Sequence, residues 1–283
     1  MRPVAAVQRV IVVVLDGLRP DAIERFDLRH IKRLMATGAS SYAATTVSPS
    51  LTAAAMTSLM SGVAPARHGI LSDKLFIPRA AGLTPLPEVL SQGSFPSSAF
   101  MADVAPIFRI FASRVGRRLG LNTLRTSGKT APEILLAART TLRTQRRGLI
   151  LLHWPDADRA GHDYGWMSDE YAEGCARLDD ALGMLTAVAD VAHDPQTILI
   201  ALADHGGGGT DVKDHESDHV LDRTIPLVIA GRDIVATELA APTLVDVPAS
   251  IVWALGLEVP ASYEGRVLGE AFATFDTPAS AVA

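Results

Sequence analysis

The sequence predicts a three-layer α/β/α sandwich around a mostly parallel central sheet. Short apolar runs recur along the chain, stretches with helical spacing separate them, and acids or histidines follow directly on several of the runs. Strands that alternate with helices need crossover connections, and crossovers build parallel sheets. In such sheets ligands gather at the carboxyl ends of the strands. The third observation therefore locates the chemistry as well as supporting the fold.

Val10-Ile-Val-Val-Val-Leu15 is a β-branched run that ends in Asp16, the pattern of a central strand buried on both faces. Helical spacing then runs from Ala22 to Thr37. Further strands are predicted at Ser98 to Ala102, Leu149 to Leu152, Thr197 to Ala203 and Pro226 to Ala230, with helical stretches at Pro132 to Arg146 and Glu170 to Val191. Between Arg109 and Arg147 stand ten Arg or Lys residues and one acid, Glu133, so the strand rhythm breaks there. We read a small cap or insertion around residues 79–147, carrying either a solvated basic face or a surface that attracts an anionic substrate. The rest of 1–283 reads as one domain, with a frayed Ala-rich tail from Thr277.

The 283 residues, 48% of them hydrophobic, suffice for a large core, and the net charge of −5 argues against a stable nucleic-acid partner. Cys175 is alone and cannot form an internal disulfide, which fits a reducing compartment. The Val10–Leu15 run is too short to span a membrane. A cytoplasmic protein without a membrane partner is the expectation.

Three predicted strands deliver acids and histidines to one sheet edge: Asp16; Asp158 and His162 after Leu149 to Leu152; and Asp204-His205 after Thr197 to Ala203. Asp158 and His162 are four residues apart, which puts both on one side of a helical turn. Asp204-His205 precedes four glycines, which let the backbone turn sharply beside a ligand, and His215 follows within reach. Carboxylates mixed with imidazoles and no thiolate suit zinc ahead of manganese or iron, and not calcium or magnesium. Thr52 opens the helix-like run to Ser61 that closes at Gly62. A hydroxyl there faces unpaired backbone N–H groups and the positive end of the helix dipole, so it is the candidate nucleophile; the alternative is an ordinary N-cap. Asp156, Asp214 and His219 stand beside the candidate ligands and read as supporting or surface groups. His68 reads as support beneath the Thr52 helix, and His30, His153 and His193 carry no pattern of their own.

Five blocks together resemble the type I phosphodiesterase and nucleotide pyrophosphatase branch of the alkaline phosphatase superfamily. They are Val13-Val-Leu-Asp-Gly17; Pro49-Ser-Leu-Thr52 continuing to Ser58-Leu-Met-Ser-Gly62 and Pro65-Ala-Arg-His-Gly-Ile70; Asp158-Arg-Ala-Gly-His162 with Gly165; Ala203-Asp-His-Gly206; and His215 ahead of Thr224-Ile-Pro226. Asp246 to Gly256, with Gly265-Arg266, is similar to the family's C-terminal end. The resemblance implies an alkaline-phosphatase-like fold with a reduced cap and two divalent metal ions, Zn2+ foremost. One ion would be held by Asp158, His162 and His215, the other by Asp16, Asp204 and His205, with Thr52 between them as nucleophile and metal-bound hydroxyl. The implied activity is hydrolysis of a small phosphate ester or nucleotide-like substrate.

The chain departs from the family pattern at Asp73, where phosphodiesterase members carry asparagine. An ionised carboxylate repels a phosphoryl oxygen unless it is protonated or paired, here with Lys74. Asp73 and Lys74 are the candidate substrate contacts, and this departure keeps a phosphomonoesterase open beside the diesterase. A member that binds a phosphorylated ligand without turnover is the non-enzyme alternative. A sulfatase would need a cysteine or serine where Thr52 stands.

Overall fold

The computed structural model describes residues 7–72, 82–104, 116–117 and 119–272. Eight strands form one sheet in the order β4-β3-β5-β1-β6-β7-β2-β8: β1 Arg9–Leu15, β2 Ala39–Thr45, β3 Ser97–Met101, β4 Thr123–Thr126, β5 Gly148–Trp154, β6 Thr197–Leu202, β7 Thr224–Ala230 and β8 Thr237–Glu238. All described neighbours pair in parallel except those of β7, which runs against both β6 and β2. This is the mixed α/β architecture, mostly parallel, that the sequence predicts.

β1 lies between β5 and β6, and all seven of its residues are buried. A strand covered on both faces has no polar face to show, which is why its sequence is a continuous apolar run. The helices sort into two groups that pack among themselves. Arg29–Thr37, Ala131–Thr144 and Asp156–Tyr164 gather on the long helix Asp169–Ala189, whereas Thr52–Ser61, Pro65–His68, Leu86–Gln92 and Asp246–Ala254 form the other group. Two helical layers with the sheet between them give the sandwich.

The predicted strands lie within a residue or two of their observed ends, but the helical stretch Ala22 to Thr37 does not hold as one helix. It divides into Pro20–Arg25 and Arg29–Thr37 at Asp27, whose φ of 49° takes the chain out of helical geometry. The second helix then starts on Asp179, whose carboxylate accepts from the backbone N–H groups of His30 and Ile31. The range 79–147, read as a cap, supplies β3, β4 and the helices Leu86–Gln92 and Ala131–Thr144 among its described residues. These pair into the sheet or pack with its helices, so they belong to the sandwich itself. At the end of β1 away from its carboxyl terminus, buried Arg9 donates to the carbonyls of Leu142 and Ala189 and to Thr197 Oγ1. A guanidinium on two helix C-termini satisfies carbonyls that have no intrahelical donor.

Candidate metal centre

The parallel register that pairs Val14 with Leu202 brings the carboxyl ends of β1 and β6 side by side, so Asp16, Asp204 and His205 emerge together. Gly17 makes the sharp departure from β1 with a φ of +70°. Its N–H donates to Asp204 Oδ1 at 3.4 Å, and its carbonyl accepts from Trp166 Nε1 at 3.0 Å and from the Tyr171 hydroxyl at 2.9 Å. Side chains have no room at Gly17, because an added Cβ would stand 2.7 Å from Asp158 Cα.

Beyond β5, the helix Asp156–Tyr164 carries Asp158 and His162 on one face, with His162 Nε2 at 3.3 Å from Asp158 Oδ1. The Asp158 N–H donates to the Asp16 carbonyl at 3.0 Å and locks this helix to the turn after β1. His215 arrives from the loop before β7, its Nε2 at 3.7 Å from Asp158 Oδ1 and its ring stacked on His205 with centroids 3.6 Å apart. Asp158, His162 and His215 thus form one triad, and Asp16, Asp204 and His205 another, each with ligand atoms within 4.8 Å of one another. The triads adjoin, with His205 Nε2 at 3.9 Å from Asp158 Oδ1.

Backbone carbonyls settle which nitrogen of each imidazole points inward. Nδ1 of His162 meets the Lys213 carbonyl at 2.9 Å, Nδ1 of His205 the Gly206 carbonyl at 2.9 Å, and Nδ1 of His215 the Ser50 carbonyl at 2.7 Å. Each Nδ1 must carry the proton to donate, so each neutral ring presents an Nε2 lone pair to the cluster. Asp16 Oδ1, Asp158 Oδ1 and Asp204 Oδ2 are buried without a hydrogen-bond partner. Orphaned carboxylate oxygens are costly in a protein interior unless a cation meets them. Separations between imidazole nitrogen and carboxylate oxygen of 3.2 to 3.9 Å are also the spacing that ligands about 2.1 Å from a shared ion adopt. The donor set therefore fits divalent cations of the kind that accept both nitrogen and oxygen.

The charges lead to the same conclusion. Burial, with Asp204 and Asp158 alongside, raises the Asp16 carboxyl to about 7. For His205, burial works against the charged form but Asp204 and Asp16 outweigh it, and the imidazole is raised to about 10. The Asp158 carboxylate, 3.3 Å away, raises His162 to about 9. Without a metal the cluster retains protons because its carboxylates crowd together. The His162 side chain is 43% exposed and that of His205 fully buried, so the Asp158 triad is the one that opens to solvent.

Thr52 begins the helix Thr52–Ser61, Leu51 precedes it in an extended conformation, and no side chain caps the helix. The threonine hydroxyl is thus free of the capping role. Its Oγ1 lies 3.1 Å from His205 Nε2, beside the two triads. Ser50 ties this segment to the ligand loop, since its Oγ donates to the His215 carbonyl at 2.5 Å while its own carbonyl receives His215 Nδ1. Thr46 Oγ1 donates similarly to the Asp204 carbonyl. His68 sits buried beneath the helix, with Nε2 at 2.9 Å from Ser58 Oγ.

The neighbouring acids and histidine are engaged elsewhere. Asp156 accepts from the Ala131 N–H and from Arg177, Asp214 accepts from the N–H of His215, and His219 accepts from the Leu221 N–H at a helix start. The glycine run Gly206 to Gly209 turns the backbone, with Gly208 at a φ of +75°, and has a second use as well. Added Cβ atoms would strike the Leu221 carbonyl, the Trp166 ring and His219, so these glycines admit close packing from behind the cluster. Asp73 and Lys74 lie outside the described residues. Sequence reading missed His153, whose Nε2 is 3.4 Å from Asp16 Oδ2, and Trp166, whose ring lies against those of His162 and His215 with centroids 5.3 and 5.8 Å away.

A structural comparison finds the same fold in human ectonucleotide pyrophosphatase/phosphodiesterase 5, with a TM-score of 0.74 at 14% identity over 94% of this chain and 100% of that one. The murine enzyme, in an inactive form with a threonine-to-alanine substitution and in complex with AMP, gives 0.69 at 14% identity over 89% and 96%. A 2-O GAG sulfatase, BT1596, gives 0.75 at 12% identity over 94% and 74%. At such identities the likeness establishes the fold. A sequence comparison with curated proteins finds no match. The family described as type I phosphodiesterase / nucleotide pyrophosphatase matches residues 10–84 and 97–249, a span that takes in both triads and Thr52. The chain belongs to the type I phosphodiesterase/nucleotide pyrophosphatase family.

Proposed function

We propose that this chain is a metal-dependent hydrolase of small phosphate esters, a phosphodiesterase or nucleotide pyrophosphatase that uses Thr52 as nucleophile. The observation that carries the reading is the Thr52 hydroxyl, free of any capping role at a helix start and 3.1 Å from the imidazole of His205, where one carboxylate–histidine triad adjoins the other. Asp158, His162 and His215 would hold one ion, and Asp16, Asp204, His205 and the Thr52 hydroxyl the other. Zinc suits this donor set best, and two such ions would supply charge to activate the nucleophile and stabilise the leaving oxygen.

Thr52 Oγ1 attacks phosphorus in line as the P–O bond to the leaving group breaks, giving a phosphothreonine. Water then displaces Thr52 with breakage of the Oγ1–P bond. The first turn of Thr52–Ser61 directs its unpaired N–H groups and the positive end of its dipole toward the incoming phosphoryl oxygens. The backbone-anchored imidazoles hold their orientation throughout. A murine relative that is inactive with alanine for a threonine and is complexed with AMP supports both the nucleophile and a nucleotide-like substrate. Residues 1–283 act as one catalytic unit in this reading, and the lone, buried Cys175 favours a reducing compartment, the cytoplasm. Among the described residues no helix is long and apolar enough to cross a membrane.

The test is hydrolysis of bis-p-nitrophenyl phosphate and p-nitrophenyl phosphate by the zinc-loaded protein and its Thr52→Ala variant. Diester turnover in the parent, reduced at least about 100-fold in the variant with its metals retained, is the expected result. Turnover of the monoester alone would favour a phosphomonoesterase. Full activity in Thr52→Ala would end the nucleophile assignment.

A further inference from the structure

Asp16 presents its two oxygens to different histidines. Oδ1 faces His205 Nε2 at 3.2 Å, on the side of the triads and Thr52, whereas Oδ2 faces His153 Nε2 at 3.4 Å. His153 stands next to last in β5, in register with Val14 of β1, and this pairing sets its imidazole beside the turn that carries Asp16. The same Nε2 lies 3.9 Å from Asp204 Oδ2. It is buried and has no hydrogen-bond partner. Asp204 Oδ1 is already held by the N–H groups of Gly17 and His205, which leaves Oδ2 as the oxygen turned toward the cluster.

We infer that His153 is a positioning residue of the Asp16–Asp204–His205 site: its Nε2–H engages the outer oxygen of Asp16, with Asp204 Oδ2 on its flank, and fixes Asp16 Oδ1 in the ligand position. A carboxylate that binds through one oxygen can swing about its Cβ–Cγ bond until its second oxygen is also restrained. Hydrogen-bond donors behind ligating carboxylates supply that restraint in metal sites. His153 falls outside the group Asp16, Asp204 and His205, whose ligand atoms lie within 4.8 Å of one another, and it faces the other oxygen of Asp16 from His205, which assigns it to this role and not to direct ligation. The two oxygens of one carboxylate thereby divide the work, one for the cation and one for the donor. Sequence composition gives no hint of this, since His153 lies within the apolar run Leu149 to Trp154.

The inference rests on the metal-binding reading proposed above, and its test separates the two. Metal affinity is measured by competition with a chromophoric chelator for the parent, His153→Leu, His153→Gln and His215→Ala, and for His215→Ala combined with His153→Leu, with zinc as the probe. The parent should bind two equivalents. In His153→Leu one of them should weaken about 10- to 100-fold, the range for loss of a partner to a ligand, while the other is unchanged. The single equivalent left in His215→Ala should weaken by the same factor when His153→Leu is added, which identifies the Asp16 site as the one affected. His153→Gln, which keeps an N–H donor, should recover most of the loss. If the parent binds two equivalents and His153→Leu binds both as tightly, the role assigned to His153 is wrong and the metal reading survives. A parent that binds no zinc overturns both. Equal weakening of the two sites, with a lower melting temperature in the metal-free state, would mark His153 as a general packing residue and also overturn the role.

Discussion

The turn at Gly17 offers a quantitative test of how closely the backbone sets the metal ligands. In Gly17→Ala the new Cβ would stand 2.7 Å from Asp158 Cα and 2.9 Å from both Asp158 Cβ and N. Carbon atoms pack at about 3.5 Å or more, so the two segments must part by roughly 0.8 Å. The helix Asp156–Tyr164 starts at this contact and carries both Asp158 and His162, so the displacement passes directly to one triad. A left-handed alanine adds about 1–2 kcal/mol of backbone strain wherever it is placed. Gly69→Ala isolates that strain, because Gly69 also has a positive φ, of 80°, yet has nothing within 4 Å of the added Cβ. Both variants should melt a few degrees below the parent, at roughly 2–4 °C per kcal/mol for a chain of this size. Gly17→Ala alone should lose activity, by about 100-fold, the scale on which a 1 Å misplacement acts. Thermal melts with diester turnover at saturating zinc measure both quantities. If Gly17→Ala turns over like Gly69→Ala, the contact between Gly17 and Asp158 does not set ligand geometry and the reasoning is falsified.

Two further outcomes follow from the cluster. His215→Ala should retain one equivalent of metal where the parent holds two, because Asp16, Asp204 and His205 remain intact; two equivalents by elemental analysis after desalting would contradict the division into triads. Metal binding should also release protons at neutral pH, since Asp16, at about 7, and His162, at about 9, hold protons in the metal-free protein that a cation must displace. Apparent zinc affinity should therefore rise with pH up to about 10, where the last of the ligands, His205, gives up its proton, and calorimetry in buffers of different ionisation enthalpy should give different heats. Identical heats would show that no proton is exchanged.

The parts of the fold that were legible in the sequence are those where burial acts on both faces. Val10 to Leu15 in β1 and Thr197 to Leu202 in β6 are continuous apolar runs because helices cover each side of the sheet there. β2, β4 and β8 escaped notice. They lie at or next to the sheet's ends, their residues are partly exposed, and sequences such as Ala39-Ser-Ser-Tyr-Ala-Ala-Thr45 have no apolar periodicity to detect. The same cause hid β4, which lies in a stretch notable for its basic residues.

At the site, Asp16, Asp204 and His205 stand out because charged or imidazole side chains directly follow strands whose interiors exclude them, Asp158 and His162 by their four-residue spacing, and His215 by its place after Asp204-His205. His153 was obscured by its own strand. β5 runs two residues beyond the Leu149–Leu152 segment that the apolar run suggests, so a histidine inside the strand read as one outside it. The sign that could have exposed it was its place in a row of strand ends, level with Val14 and two residues short of the position of Asp16. Trp166 gave no such sign, because its contact with His162 and His215 depends on a glycine run far along the chain that makes space for an indole.

The division of ligands among distant segments has a consequence for folding. Asp16 and His215 lie at opposite ends of the span that must be assembled, and between them the site draws on β1, β5, β6 and the loop before β7. If the triads hold two cations as proposed, no contiguous fragment shorter than that span can hold both, so tight uptake would register the assembly of these segments. A ligand that binds only the finished state adds its binding free energy to the stability of the whole chain. With both triads loaded as proposed, metal supply would therefore add to the stability of the protein as well as to its activity.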